Sequence, residues 1–343
     1  MLTERQLLVL QMIIDDFIET AHPVGSRALS KKEKIPYSAA TIRNEMADLE
    51  DMGFLEKTHS SSGRIPSEKG YRYYVDHVIA PFSNQHNIKI IRNIIEDGFY
   101  EFEQIVQMSA EVLSELTNYT SIILGPELSE TKLKQLQILT LSAHTAVAIL
   151  VTDTGHVEHR TFTIPNEIQP SELEKMVNIL NDRLRGVPIL HLVEVFQKEV
   201  AGIMGKHIRD FDKSFDYLQA IFLQEHPVKL YIGGKSNILM QPEFNDVDKI
   251  RSFYTMMENE NEIANLLKNT KHGIGVSIGN ENEVEAIKDL SLITATYQLG
   301  EEQLGTIALL GPTRMEYRKV ITILSSLSKE MSEAFYKWYK SSE

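Results

Sequence analysis

SAATIRNEMADLEDMGFLEKTHSSSGRIPSEKG, residues 38–70, decides how this chain is read. It predicts a short helix with sharp ends followed by a β-hairpin. Ser38 is a good N-cap, and Tyr37 and Ile42 occupy the two positions of a hydrophobic staple. Ile42, Met46 and Leu49 recur at helical spacing and make the inward stripe. Gly53 fits the left-handed position after the last turn, with Phe54 placed to touch Leu49. Phe54–His59 and Arg64-Ile65-Pro66 then flank a small polar tip, Ser60-Ser61-Ser62-Gly63. Away from the inward stripe, Ser38, Ala40, Thr41, Arg43 and Asn44 lie near the N-terminal end of the helix, while Asp48, Glu50 and Asp51 lie near the other. Small and hydrogen-bonding residues at the positive end of a helix suit a DNA groove, and the acidic end suits staying clear of phosphate. Arg43 and Asn44 carry the donors and acceptors that match purine edges. Thr41, Arg27, Lys31 and the hairpin's Arg64 suit phosphate contacts, and Ser26 and Ser61 complete the candidate DNA-binding set.

Working outward, residues 2–20 read as an amphipathic helix, with Leu7, Leu10, Ile14, Phe17 and Ile18 at helical spacing. Pro23 and Gly25 stop it. Ser26 suits the cap of a second short helix through about Lys34, ended by Ile35-Pro36. Downstream, Ser67 suits the cap of a further helix with Tyr71, Tyr74, Val75 and Val78 inward.

Charge is distributed to match. The chain of 343 residues carries a net charge of −13, which argues against a protein coated in nucleic acid. Residues 22–46 nevertheless hold five basic side chains (Arg27, Lys31, Lys32, Lys34, Arg43) against Glu33 and Glu45, and residues 57–72 hold Lys57, Arg64, Lys69 and Arg72 against Glu68. A local basic face on an acidic body is the footprint of a specific DNA binder. There is no cysteine, so disulfides and thiol chemistry are excluded and a reducing cytoplasm is expected. No apolar run approaches the roughly 20 residues that span a bilayer. The opening MLTERQLLVLQMIIDD has no basic leader and does not read as a secretory signal.

Three strings carry a resemblance: PVGS at 23–26, SAATIRNEMADLEDMGFL at 38–55 and SSGRIPSEKGYRYYVD at 61–76. Together they resemble the heat-inducible transcription repressor family HrcA. TSIILGPE at 120–127 and YQLGEEQLGTIALLGPTRMEYRKVI at 297–321 extend the resemblance along the chain. It implies a homodimeric repressor of GroEL/GroES- and DnaK-type chaperone operons, binding an inverted-repeat operator called CIRCE, with the GroEL chaperonin as a partner. It also implies a winged helix-turn-helix domain, a GAF-like domain and a dimerisation segment inserted into the latter.

The body of the chain fits an α+β class. Ile91, Ile95, Phe99, Phe102, Val106, Leu113 and Leu116 predict a long helix over about 87–116. Residues 120–163 have strand composition with a turn at Asp153-Thr154-Gly155, and a helix follows over 171–185. Strands return at 273–278, 290–299 and 304–310, before a closing helix over 313–340. The expected layout is a winged-helix domain at 1–80, a linker helix at 81–118, a GAF-like antiparallel sheet with helices on one face at 119–186 and 271–343, and a mostly helical insert at 187–270.

The sequence meets no catalytic or cofactor motif. GGKS at 233–236 lacks the glycine a phosphate loop needs, having Lys229 there. GIGVSIG at 273–279 has Ile278 in place of the third glycine of a dinucleotide fingerprint. His156 and His159 fall on opposite faces of a strand. No metal or cofactor is therefore expected. Residue spacing alone leaves two other readings open. One is a small packing unit whose exposed Arg and Asn merely face solvent. The other is a ligand-binding or enzymatic α+β domain with an appended helical interaction module.

Overall fold

The computed structural model describes residues 2–32, 36–58, 63–79, 102–125, 132–153, 157–164, 170–200, 202–203, 229–268, 270, 272–299 and 302–342. The chain divides into two compact units, Met1–Gly125 with Val228–Phe335 and Pro126–Pro227 with Tyr336–Glu343.

The first unit begins with α1, Glu4–Thr20. Thr3 and Gln6 close a reciprocal capping box at its start, satisfying two of the donors a helix N-terminus leaves open. A second helix, α2, covers Ser26–Leu29 with Gly25 as its cap. That corrects the longer helix expected to begin from Ser26 as cap. Next come α3, Ala39–Asp51, then β1, Leu55–Lys57, paired antiparallel with β2, Arg64–Pro66. α4, Glu68–His77, follows with Ser67 accepting from the Gly70 N–H. Val9, Ile13, Leu29, Ile42, Leu49, Tyr71 and Tyr74 bury the inward faces of the four helices in one core.

Residues 80–101 lie outside the described part, including the first half of the expected linker helix. Its second half is α5, Phe102–Thr117. Val106, Ala110 and Leu113 are buried in the same core, and the Ser121 hydroxyl donates to the Ala110 carbonyl at 2.5 Å. This stretch is therefore packed structure of the first unit, not a spacer. β3, Thr120–Leu124, comes next and is buried along its whole length.

The second unit holds β4, Leu133–Thr140, β5, Thr145–Thr152, and β6, Val157–Thr163, in an antiparallel sheet of that order. α6, Pro170–Leu184, and the short α7, Leu192–Val195, supply Met176, Leu180, Leu184 and Leu192 to its core. Asn181 fixes α6 to the sheet, accepting from the Leu136 N–H and donating to its carbonyl, both at 2.7 Å.

The chain re-enters the first unit at β7, Leu230–Gly233, followed by α8, Val247–Glu258, and α9, Glu260–Lys268. β8, Ile274–Ile278, β9, Leu290–Leu299, and β10, Glu302–Pro312, lead into α10, Tyr317–Ser342. Five strands form one antiparallel sheet in the order β7-β3-β10-β9-β8. Successive side chains of a strand point to opposite faces, and here both faces are buried. Ile123, Ile293, Ile307 and Leu309 meet α10 residues such as Leu324 in one core, while Ile122, Leu124, Ala308 and Leu310 meet Phe253 and Leu267 of α8 and α9 in another.

Two expectations are corrected here. The sheet is covered on both sides, not on one. The division of the body also differs from an insert at 187–270: β7 pairs with β3, which draws 228–270 into the large sheet's unit. The strands of 133–163 instead make a sheet of their own. Among the described residues no helix is long and apolar enough to cross a membrane.

Candidate nucleic-acid interface

α3 is held by its ends. The Ser38 hydroxyl accepts from the Thr41 N–H at 3.2 Å and lies 2.9 Å from the Thr41 hydroxyl. At the other end Gly53 takes φ +77°, the Gly53 N–H donates to Glu50 O and the Phe54 N–H to Leu49 O, both at 2.8 Å. That pair of bonds is a Schellman stop. Ile42, Met46 and Leu49 are buried, so residues 40, 43, 44 and 47, which share the opposite side of a 3.6-residue helix, face out. All four are exposed. Ala47 belongs to this stripe by the same periodicity, although its small apolar side chain gave no chemical reason to single it out.

Ion pairs sort the basic residues into two groups. Arg5 pairs with Glu45 at 3.3 Å and stacks over Tyr37 at 5.2 Å. Lys32 pairs with Asp16. Arg64 donates through Nε and Nη2 to one oxygen of Glu50 at 2.7 and 2.6 Å, tying the hairpin to α3. Lys69 donates to Met52 O at 2.7 Å and lies over the Phe54 ring at 4.7 Å, stabilising the carbonyl end of α3. Arg72 reaches Glu281, Asp76 and Val276 O. By contrast Arg27, Lys31 and Arg43 are exposed and make no ion pair among the described residues.

The expected set thus separates. Ala40, Arg43 and Asn44 project from one side of α3, with Ser38 and Thr41 at its capped end; Arg27 and Lys31 lie on and just after α2. Ser26 is the first residue of α2 and half-buried. Arg64 is engaged with Glu50, its side chain only 17% exposed. The base of the hairpin explains why: Val24 and Arg64 exchange backbone hydrogen bonds at 2.9 Å, and a Cβ on Gly63 would sit 2.8 Å from Pro23 Cβ. Ser61 lies outside the described residues. Of the second basic window, Arg64, Lys69 and Arg72 all serve structure, a use that composition could not distinguish from phosphate binding.

The arrangement offers hydrogen-bond donors and small side chains at the positive end of the helix and cations beside it that make no ion pair among the described residues; of the helix's carboxylates, Glu45 and Glu50 are matched by Arg5 and Arg64, while Asp48 and Asp51 are exposed. Among the described residues no cluster of metal-ligating side chains occurs.

Comparison with known proteins agrees with the resemblance. The family model for the HrcA protein C-terminal domain matches residues 103–321. A heat-inducible transcription repressor HrcA from Oceanobacillus iheyensis is 72% identical over 340 residues, covering 99% of each chain. Among solved structures, the crystal structure of a hypothetical protein superposes with a TM-score of 0.68 at 21% identity, covering 98% of this chain and 100% of that one. At that identity the last likeness speaks for the fold alone.

Proposed function

The chain belongs to the HrcA family of heat-inducible transcription repressors, and from that premise we propose that it is a cytoplasmic, homodimeric DNA-binding repressor. Residues 2–79 act as a winged helix-turn-helix, with α3 as recognition helix and β1–β2 as wing. The five-stranded sheet is a GAF-like body. The operator is an inverted repeat of the CIRCE type upstream of chaperone genes, and two copies of α3 read its half-sites. The GroEL chaperonin is a partner. The observation that supports this reading best is the exposed stripe of Ala40, Arg43, Asn44 and Ala47. It is uncovered by any described residue, while two acidic residues of the same helix, Glu45 and Glu50, are paired from within the chain.

In this reading Arg43 and Asn44 contact bases; Arg27, Lys31 and Thr41 position phosphates; and Arg64 sets the wing against α3. Footprinting on an inverted-repeat duplex tests it, together with salt titrations of variants. Arg43→Ala should relax sequence choice at one position per half-site, a loss of about 1–3 kcal/mol in discrimination. Lys31→Ala should weaken all sequences alike and reduce the salt slope by about 1. Equal loss of specific and non-specific affinity in Arg43→Ala removes its role in base reading, and no protection of any inverted repeat removes the function itself.

A further inference from the structure

Two polar side chains of α4 find their partners on the sheet and not among the other N-terminal helices. Glu68 and Arg72 stand about one turn apart, on the same face of the helix. Glu68 accepts from the backbone and side-chain amides of Asn280. Arg72 donates to the Glu281 carboxylate and the Val276 carbonyl, and Asp76 holds it from its own helix. Both side chains therefore end on β8 and the turn Gly279–Glu281 that follows it.

That turn is held from behind, by residues that do not belong to α4. The Asn282 side-chain amide donates to the carbonyls of Gly279, Ile287 and Leu290 at 2.8–3.0 Å, and the residue is only 4% exposed. The Ile278 N–H donates to Glu281 at 2.9 Å, which fixes the carboxylate that receives Arg72. Gly279 has φ +56°, and a Cβ there would fall 2.0 Å from a Glu68 oxygen. Only glycine admits so close an approach of α4. Beside these contacts the Tyr71 ring lies 5.7 Å from that of Tyr317, whose hydroxyl is held by the Ser291 hydroxyl and the Thr313 carbonyl, both at 2.6 Å. Apolar burial is non-directional, so ring against ring resists separation more than rotation. Hydrogen bonds are directional, and those of Glu68 and Arg72 to a prebuilt turn oppose the rotation.

We propose that Glu68 and Arg72 are positioning residues for operator recognition: by fixing the rotation of the N-terminal helices on the sheet, they set how the two copies of α3 in a dimer face each other, and hence which half-site spacing the dimer accepts. This rests on the homodimeric DNA-binding reading above. The test uses the full chain and three kinds of duplex: the CIRCE inverted repeat, one of its arms alone, and the repeat with its spacer changed by about five base pairs, half a helical turn. Fluorescence anisotropy at one salt concentration gives the affinities, and circular dichroism checks that each variant is folded. The parent should bind the intact repeat more tightly than either altered duplex. Arg72→Gln should bind the single arm as the parent does, lose about tenfold on the intact repeat, and discriminate less between spacers. Glu68→Gln sets an amide against the Asn280 donors; it should behave alike, and it decides the matter where Arg72→Gln does not fold. Equal losses on the single arm and the intact repeat place the effect in α3 itself and overturn the proposal. So do folded variants with the parent's affinity and spacing preference, or a parent indifferent to spacing. A parent that binds no inverted repeat removes the DNA-binding reading, and this proposal with it.

Discussion

Ser38 and Gly53 define α3 from its two ends, by different physics. Ser38 supplies an acceptor to an N–H that has no partner inside the helix; Gly53 supplies a backbone conformation. Ser38→Ala should therefore lower stability by about 1 kcal/mol. Gly53→Ala should cost about 1–2 kcal/mol, because a Cβ strains the left-handed region. The nearest atoms to that Cβ, on Lys69, would be 3.9 Å away, so crowding adds nothing. Urea unfolding of both variants checks the pair, and a neutral Gly53→Ala would show that α3 ends by some means other than its glycine. Both residues were legible in the sequence because caps and stops act within a few positions. Arg64 was not. Its partner Glu50 is fourteen residues away, and an arginine beside a polar turn looks the same whether it awaits a phosphate or holds a carboxylate.

At the scale of elements, that ion pair turns a two-stranded ribbon into part of the helix it follows. A lone hairpin is marginal in water; here Val24 adds a bridge to Arg64 and Glu50 clamps the same residue from α3. The pair is only partly buried, so solvent screens it, and a coupling of about 0.5–1 kcal/mol is expected from a double-mutant cycle of Glu50→Ala and Arg64→Ala. Strictly additive losses would dissolve the link. The large sheet makes its own demand on residues. Leu309 and Leu310 point to opposite faces and both are buried, so Leu309→Ala and Leu310→Ala should each cost about 2–5 kcal/mol. A sheet with one wet face would make one of the two substitutions cheap. The strand string TIALLGP, apolar at consecutive positions, already carried that information, since alternation marks a half-buried strand and its absence marks one buried on both sides. Membership of a sheet is harder to read. β7 joins β3 across more than a hundred residues, and no local pattern records which distant edge a short strand will find. The expected insert boundaries differ from the two units for that reason, although the strands of 120–163, 273–278, 290–299 and 304–310 and the helices of 171–185 and 313–340 were legible locally.

Within the first unit, the N-terminal helices are fastened to the sheet through α4. Arg72 donates through Nε to Glu281 at 2.9 Å and through Nη2 to Val276 O at 2.7 Å. Glu68 accepts from the Asn280 N–H at 3.2 Å and from its side-chain amide at 3.1 Å. These contacts decide how firmly α3 is presented by the body behind it. The Arg72–Glu281 pair also gives that attachment a pH dependence with a definite sign. Burial pushes the Glu281 carboxyl up, but the Arg72 guanidinium and the Ile278 N–H together hold it below its ordinary value. A carboxylate depressed in the folded state stabilises fully above its unfolded pKa, about 4.3 for glutamate, and that stabilisation is lost as pH falls through the folded value. Thermal unfolding of the parent protein and Glu281→Gln across pH 3–7 isolates the effect, because the remaining carboxylates titrate in both and their contributions cancel. The parent should melt at the higher temperature near pH 7, and the gap should stay constant down to about pH 5. It should then close as Glu281 takes up its proton and the two side chains become alike in charge. A gap that persists unchanged into acid would mean that glutamine disrupts packing at this position, and that the Arg72–Glu281 ion pair contributes nothing to holding the N-terminal helices on the sheet.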